Sequence, residues 1–221
     1  MESKSKTTTL SVCVLGHVDA GKSTLVGHLK WLYGQVDPDT MLRYERQSKE
    51  MGKSSFKYAW VVNTLWAERE RGITIDWHST SLTLSNTFLN FLNGPGHRDY
   101  LKNMIKCAFM SDTALLVVAA NEEEFEYGIK GQMPTHINLC HYLNLKGLLV
   151  CVNKMDLVSF SHARFLEVVE ILTQKYLPMK ATFIPISAFN GDNLIEKSGN
   201  NMPWYQGPTV LEYLENISIN Q

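Results

Sequence analysis

Gly16-His17-Val18-Asp19-Ala20-Gly21-Lys22-Ser23 reads G-x-x-x-x-G-K-S. Residues of these types at this spacing can hold phosphate. The glycines let the backbone turn tightly, so that successive N–H groups point at phosphate oxygens. A helix starting near Lys22 adds the partial positive charge of its N-terminus. Lys22 would reach the β- and γ-phosphates, and the Ser23 hydroxyl would ligate Mg²⁺. The alternative is an ordinary Gly-rich turn. Against it, an apolar run at residues 10–15 leads into the loop, and the pattern arises by chance in roughly one chain of this length in a hundred.

Two further polar signatures end apolar runs. Asn153-Lys154-Met155-Asp156 follows residues 147–152, and Ser187-Ala188-Phe189 follows residues 182–186. The Asp156 carboxylate can accept two hydrogen bonds, from the ring N–H and exocyclic amine of guanine. Adenine offers no such pair and would leave the carboxylate unpaired. Asn153 would serve another edge of the base and tie loops together. The Lys154 stem would pack on the base plane. The backbone N–H groups of Ser187-Ala188 would face the guanine carbonyl. Alone, N-K-x-D could be a turn. Placed after a strand, and in order with the phosphate loop, it points to guanine.

Positioning these groups requires strands that end on one side. Residues 10–15, 113–120, 147–152 and 182–186 are apolar runs of strand length, separated by helix-like segments 22–33, 97–109, 135–143 and 161–177. A last helix spans 210–217. Alternation of this kind implies a mainly parallel sheet covered on both faces. In such sheets ligands bind beyond the carboxyl ends of the strands. Residues 79–84 and 87–92 read as an antiparallel hairpin around Ser85-Asn86. The insert at 36–71 is polar and helix-like; its simplest reading is a surface decoration whose Glu68-Arg69-Glu70-Arg71 run is solvated.

Composition sets outer limits. The chain has 221 residues, enough for one domain with a substantial core. Its net charge of −1 gives no global basic field for nucleic acid. Cys13, Cys107, Cys140 and Cys151 lack metal-like spacing and read as buried thiols in a reducing compartment. No apolar run reaches membrane-spanning length, and the first residues, M-E-S-K-S-K, lack a signal-peptide core. The expectation is a cytoplasmic protein with no membrane partner.

The motifs G-H-V-D-A-G-K-S-T, E-R-E-R-G-I-T-I-D, G-P-G-H-R-D-Y-L-K-N-M-I, N-K-M-D and S-A-F-N-G-D-N-L together resemble the translational GTPases. Within them the chain is most similar to the eukaryotic elongation factor 1-alpha family, with peptide-release and ribosome-rescue GTPases as near neighbours. The resemblance covers nearly the whole chain. It implies an α/β P-loop NTPase G domain over residues 1–221, with a mostly parallel six-stranded sheet, one antiparallel edge strand and helices on both faces. Residues 36–71 would form a helical switch-one insert. The resemblance implies GTP/GDP and Mg²⁺ as ligands, and the ribosome, an exchange factor and aminoacyl-tRNA as partners. In that family aminoacyl-tRNA is held by two further β-barrel domains, which the resemblance would place outside this chain. Gly16, Thr24 and the residues between them match the phosphate loop, with Asp19 matching an aspartate linked to loop geometry. Thr74 matches the switch-one threonine that joins Mg²⁺ and the γ-phosphate. His97 matches the histidine that orients the attacking water, and Val18 and Ile73 match the apolar pair that restrains it. Gly96 matches the switch-two glycine.

The sequence departs from this pattern at three places. Asn93 stands where the family has the switch-two aspartate that holds a Mg²⁺-bound water. Its amide oxygen can accept a hydrogen bond but carries no charge. One unit charge about 4–5 Å from another is worth roughly 3–4 kcal/mol at an effective dielectric of about 20, before screening. Asn93 should therefore weaken Mg²⁺ binding and turnover more than nucleotide binding. Asn63 likewise replaces an aspartate. Gln132-Met133-Pro134-Thr135-His136 replaces a charged segment, putting a proline at a helix start, where it is tolerated. The chain ends at Gln221, after its last helix. Two readings stand: a G domain cut from a longer protein, or a protein without the tRNA-holding part.

Overall fold

Strand β1 (Thr8–Gly16) alternates its side chains between two cores. Leu10, Val12 and Val14 enter one, and Cys13 and Leu15 enter the other. This period-two division means that both faces are covered. The computed structural model describes residues 8–84 and 87–219. The Ser85-Asn86 turn expected between the hairpin strands lies outside them, as do residues 1–7 and 220–221.

The sheet has six strands in the order β2-β3-β1-β4-β5-β6: β2 (His78–Thr83), β3 (Thr87–Asn93), β4 (Thr113–Ala119), β5 (Leu148–Asn153) and β6 (Thr182–Pro185). Edge strand β2 runs antiparallel to β3, and the other neighbours are parallel. The expected architecture is therefore present. Parallel pairing sends the C-termini of β1, β3, β4, β5 and β6 to one side. Asn93, the last residue of β3, pairs with Val14 just before the phosphate loop.

Helix α1 (Lys22–Leu32) and α9 (Val210–Ile219) supply Leu25, Leu29 and Leu214 to the first core. Helices α5 (Leu101–Phe109), α7 (Met133–Tyr142) and α8 (His162–Lys175) cover the other face with Met104, Ile137 and Val168. The helix expected at 161–177 starts one residue later, because the Ser161 hydroxyl caps it by accepting from the Arg164 N–H. The helix expected at 97–109 opens instead with a 3₁₀ turn, Arg98–Tyr100, in which the Asp99 N–H donates to His97 Nδ1. Pro134 sits in the first turn of α7, as its missing N–H requires. Helix α6 (Glu122–Lys130) has no counterpart in the sequence reading. Only Phe125 and Gly128 are buried in it, so its apolar periodicity is weak, although three glutamates in its first turn favour a helix N-terminus.

The insert forms α2 (Pro38–Glu50), a 3₁₀ turn Ser54–Phe56, α3 (Ala59–Val62) and α4 (Trp66–Arg71). It packs on α1 at Gly27, where an added Cβ would lie 1.9 Å from the Tyr58 carbonyl oxygen. Glycine there lets the insert backbone approach the helix that follows the phosphate loop. The solvated-decoration reading fails at two points. Trp60 is fully buried, and so is Glu68 within the charge run.

Candidate nucleotide-binding site

A cavity of about 600 Å³ opens where the strand C-termini converge. Val18, Asp19, Gly21, Lys22, Ser23 and Thr24 line it from the phosphate loop, and Asn153, Lys154 and Asp156 from the end of β5. Ala188 and Phe189 follow β6; Ile73 and Thr74 come from the end of the insert; Gly96 and His97 come after β3. Gly16, His17, Ala20, Asn93 and Ser187 are not in this lining, but each of the five is hydrogen-bonded to a residue that is.

At the phosphate end, Lys22 is buried, and its Nζ donates to the carbonyls of Gly16 (2.9 Å) and His17 (2.7 Å). An ammonium has three donors, so one remains for an anion. Burial pulls the Lys22 pKa down to about 8, against an opposing pull from the Asp19 charge. A buried cation held by neutral carbonyls is a site prepared for phosphate. The loop geometry depends on two glycines. Gly16 has φ +143°, and a Cβ there would meet the Val117 carbonyl at 2.3 Å; Gly21 has φ +96°. Asp19 takes a left-handed φ of +61° between them. The His17 imidazole turns away from the cavity, toward Gly131.

At the base end, Asn153 is buried, and its Nδ2 donates to the Ala20 carbonyl (2.7 Å). Its Oδ1 accepts from the Ala188 N–H (2.8 Å). It thus ties three loops together. The Ala188 N–H, expected to face the guanine carbonyl, is here engaged with Asn153, which satisfies the buried amide oxygen. The Ser187 hydroxyl donates to Asp156 Oδ1 (2.6 Å), orienting the carboxylate. Lys154, expected to lie on the base, has its Nζ within 2.6 Å of Glu124 Oε2. Its backbone is left-handed, at φ +64°.

Between these ends the expected metal ligands meet. Ser23 Oγ lies 3.3 Å from Thr74 Oγ1. Asn93 Nδ2 donates to Ser23 Oγ (3.0 Å), and Asn63 Nδ2 donates to Thr74 Oγ1 (3.4 Å). Among the described residues, no three His, Cys, Asp or Glu side chains cluster to hold a metal ion. His97 is partly exposed at the mouth, beside Asp99 at 3.4 Å, and shares the cavity with Val18 and Ile73.

Some contributors escaped the sequence reading. Buried His136 accepts from the Gly16 N–H through Nδ1 (3.2 Å). Burial first, then the charges of Lys22 and His17, push its pKa down to about 3, so the ring is neutral. His28 contacts the Ala188 carbonyl through Nδ1 (2.6 Å) and stacks on Tyr58, joining α1, the insert and the base loop. Glu68 accepts from the Ile75 and Asp76 N–H groups and from His78, which braces the backbone next to Thr74. Burial pushes the Glu68 carboxyl up, but these hydrogen bonds outweigh it and hold it below its usual range. The hydrogen bond from His78 to Glu68 raises the His78 pKa. The only signals in the sequence were that His136 closes the departing segment 132–136 and that Glu68 lies in E-R-E-R-G-I-T-I-D.

The sequence family described as "Elongation factor Tu GTP binding domain" matches residues 7–218. Elongation factor 1-alpha of Entamoeba histolytica is 46% identical over 218 residues, covering 96% of this chain and 49% of that protein. The Ignicoccus hospitalis elongation factor 1-alpha is 44% identical, covering 97% of this chain and 50% of that protein. The chain thus spans about half the length of these relatives. Among solved structures, the GTP-bound Ski7 GTPase-like domain of S. cerevisiae is similar, with a TM-score of 0.84 at 24% identity over 98% of this chain and 51% of that one. GDP-bound Sup35 has a TM-score of 0.67 at 27% identity over 97% of this chain and 47% of that one. A family match over nearly the whole chain, on a fold that gathers the phosphate and base motifs around one cavity, shows that the chain belongs to the elongation factor Tu GTP-binding domain family, as the G domain of a translational GTPase.

Proposed function

We propose that the chain binds guanine nucleotide and hydrolyses GTP to GDP and phosphate as the G domain of a translation elongation factor, with the ribosome as activator. The observation that carries this reading is the base-end network, in which Ser187 orients Asp156 while Asn153 joins Ala20 to Ala188. Asp156 is thereby aimed as a paired acceptor for guanine. Lys22 and the loop N–H groups take the phosphates. Phosphoryl transfer needs little covalent help from protein, so positioning is the main task. His97 at the cavity mouth would orient the attacking water, and Val18 and Ile73 would restrain it until the ribosome acts. Aminoacyl-tRNA would be held by domains outside this chain, and a guanine-nucleotide exchange factor would reload it. The setting is the cytoplasm; among the described residues no helix is long and apolar enough to cross a membrane.

GTP and ATP affinities, with single-turnover GTP hydrolysis measured with and without ribosomes, test this reading. We expect tight GTP, weak ATP, very slow intrinsic hydrolysis and acceleration by ribosomes. Equal affinity for GTP and ATP would overturn the guanine assignment. A second reading, a nucleotide-binding module with weakened turnover, is supported by the neutral Asn93 amide on Ser23. Hydrolysis unchanged by ribosomes but increased by Asn93→Asp would favour it. A termination or rescue role is favoured if release complexes alone accelerate hydrolysis.

A further inference from the structure

We propose that this chain binds guanine nucleotide with little dependence on a divalent cation, because two buried amides, Asn63 and Asn93, occupy the places from which a metal site would draw its charge. The inference rests on the guanine-nucleotide reading above.

Ser23 Oγ and Thr74 Oγ1 are 3.3 Å apart, and that spacing alone would admit two neighbouring ligands of an ion bound at about 2.0–2.1 Å. The chemistry opposes it. Each hydroxyl already receives an amide N–H, Ser23 from Asn93 and Thr74 from Asn63. A lone pair that a metal would use is thereby occupied, and the positive end of each amide dipole points at the pair. The opposite amide orientation does not restore the site. It would turn Oδ1 toward the hydroxyl but leave the NH₂ in the place where Oδ1 is now buried without a partner, in both residues. In either orientation the four groups carry no negative charge. A hard, strongly hydrated divalent ion gains most from charged oxygen ligands, so here the phosphates would have to supply nearly all of its negative partners. Lys22, buried and with a free donor, remains to offset the phosphate charge without a metal. Thr74 also reaches Ser23 directly, so a side-chain hydrogen bond joins this end of the insert to α1.

The test uses the purified chain and fluorescent mant-GTP and mant-GDP, titrated in excess EDTA and again in millimolar MgCl₂. We expect both affinities to change by less than about threefold between the two conditions. Asn63→Asp with Asn93→Asp should make Mg²⁺ tighten mant-GTP by more than about tenfold, since each carboxylate restores one charge beside the hydroxyls. Circular dichroism checks that the double variant folds; if it does not, the wild-type comparison decides alone. Wild-type binding tightened more than about tenfold by Mg²⁺ would overturn the inference and leave the guanine reading intact. Failure to bind either nucleotide under both conditions would overturn the guanine reading itself, and the inference with it.

Discussion

Asn93 Nδ2 donates to Ser23 Oγ across 3.0 Å, tying the end of β3 to the first turn of α1. This contact places a neutral dipole, with no charge, at a fully buried position. Asn93→Asp would bury a carboxylate that the Ser23 hydroxyl could satisfy only on one side. We expect a loss of about 1–3 kcal/mol in EDTA, regained on adding Mg²⁺. Thermal unfolding with and without the ion checks this. If the wild type gains as much from Mg²⁺ as the variant, the neutral-site account fails.

Asp156 should set base selectivity. Asp156→Ala removes the acceptor pair and leaves Ser187 without its partner. Charged hydrogen bonds contribute about 1.5–3 kcal/mol, so GTP affinity should fall by roughly ten- to a hundredfold. ATP affinity should hardly change. Competition of the two nucleotides against a fluorescent guanine nucleotide reads the ratio directly, and a preserved ratio would remove Asp156 from base recognition.

Nucleotide binding should take up a proton near pH 8 to 9. Burial holds the free Lys22 pKa at about 8, and bound phosphate would raise it by favouring the charged form. Affinity should then weaken as pH rises above 8. Calorimetry in buffers of different ionisation enthalpy would show net uptake. Binding that exchanges no protons at pH 8.5 would contradict this picture of Lys22.

Glu68 should be a structural keystone of the insert. Glu68→Ala would orphan the Ile75 and Asp76 N–H groups and break the pair with His78. Removing one partner of a buried charged pair costs about 3–5 kcal/mol. Urea unfolding should register a loss of that order. Limited proteolysis should also cut earlier between residues 63 and 77 in the variant. A loss near zero would mean that His78 and solvent replace the carboxylate.

His136 should make stability depend on pH in one direction. Its folded pKa of about 3 lies below the unfolded value of about 6.5. Between these values the unfolded chain binds a proton that the folded chain refuses. Stability from this group is therefore full above pH 6.5 and is lost as pH falls, by up to about 1.4 kcal/mol per unit. His78, whose pKa is raised by Glu68, acts in the opposite sense, with stability lost as pH rises through its folded value. Comparison with His136→Asn, which keeps an acceptor for the Gly16 N–H, cancels the His78 contribution. The slope between pH 4 and 6 should be shallower in the variant by about that amount; equal slopes would show that His136 titrates normally.

Much of the fold was legible because its causes are local. The runs in β1, β4 and β5 are apolar enough to be buried on both faces, and the two glycines of the phosphate loop mark backbone that other residues cannot follow. Helix α6 was not legible, since one buried phenylalanine gives no periodicity. The charge run at 68–71 misled for a related reason: nothing in neighbouring residues reveals that Glu68 points inward to three donors that arrive after the helix ends.

By itself, the sequence determined the ligand-facing chemistry, because backbone turns, a lysine and an aspartate at strand ends act through their own types and spacing. Only the tertiary structure decided which groups touch. Asn63 and Asn93 are 30 positions apart in the chain, yet both donate into one pair of hydroxyls. His136 reaches Gly16 across 120 positions. Such contacts depend on strand order and on how the insert and α7 pack against the sheet, and long-range packing leaves no periodic trace in a single chain. Whether a buried polar atom finds a partner is settled there, and in this protein that decides the charge at the centre of the site.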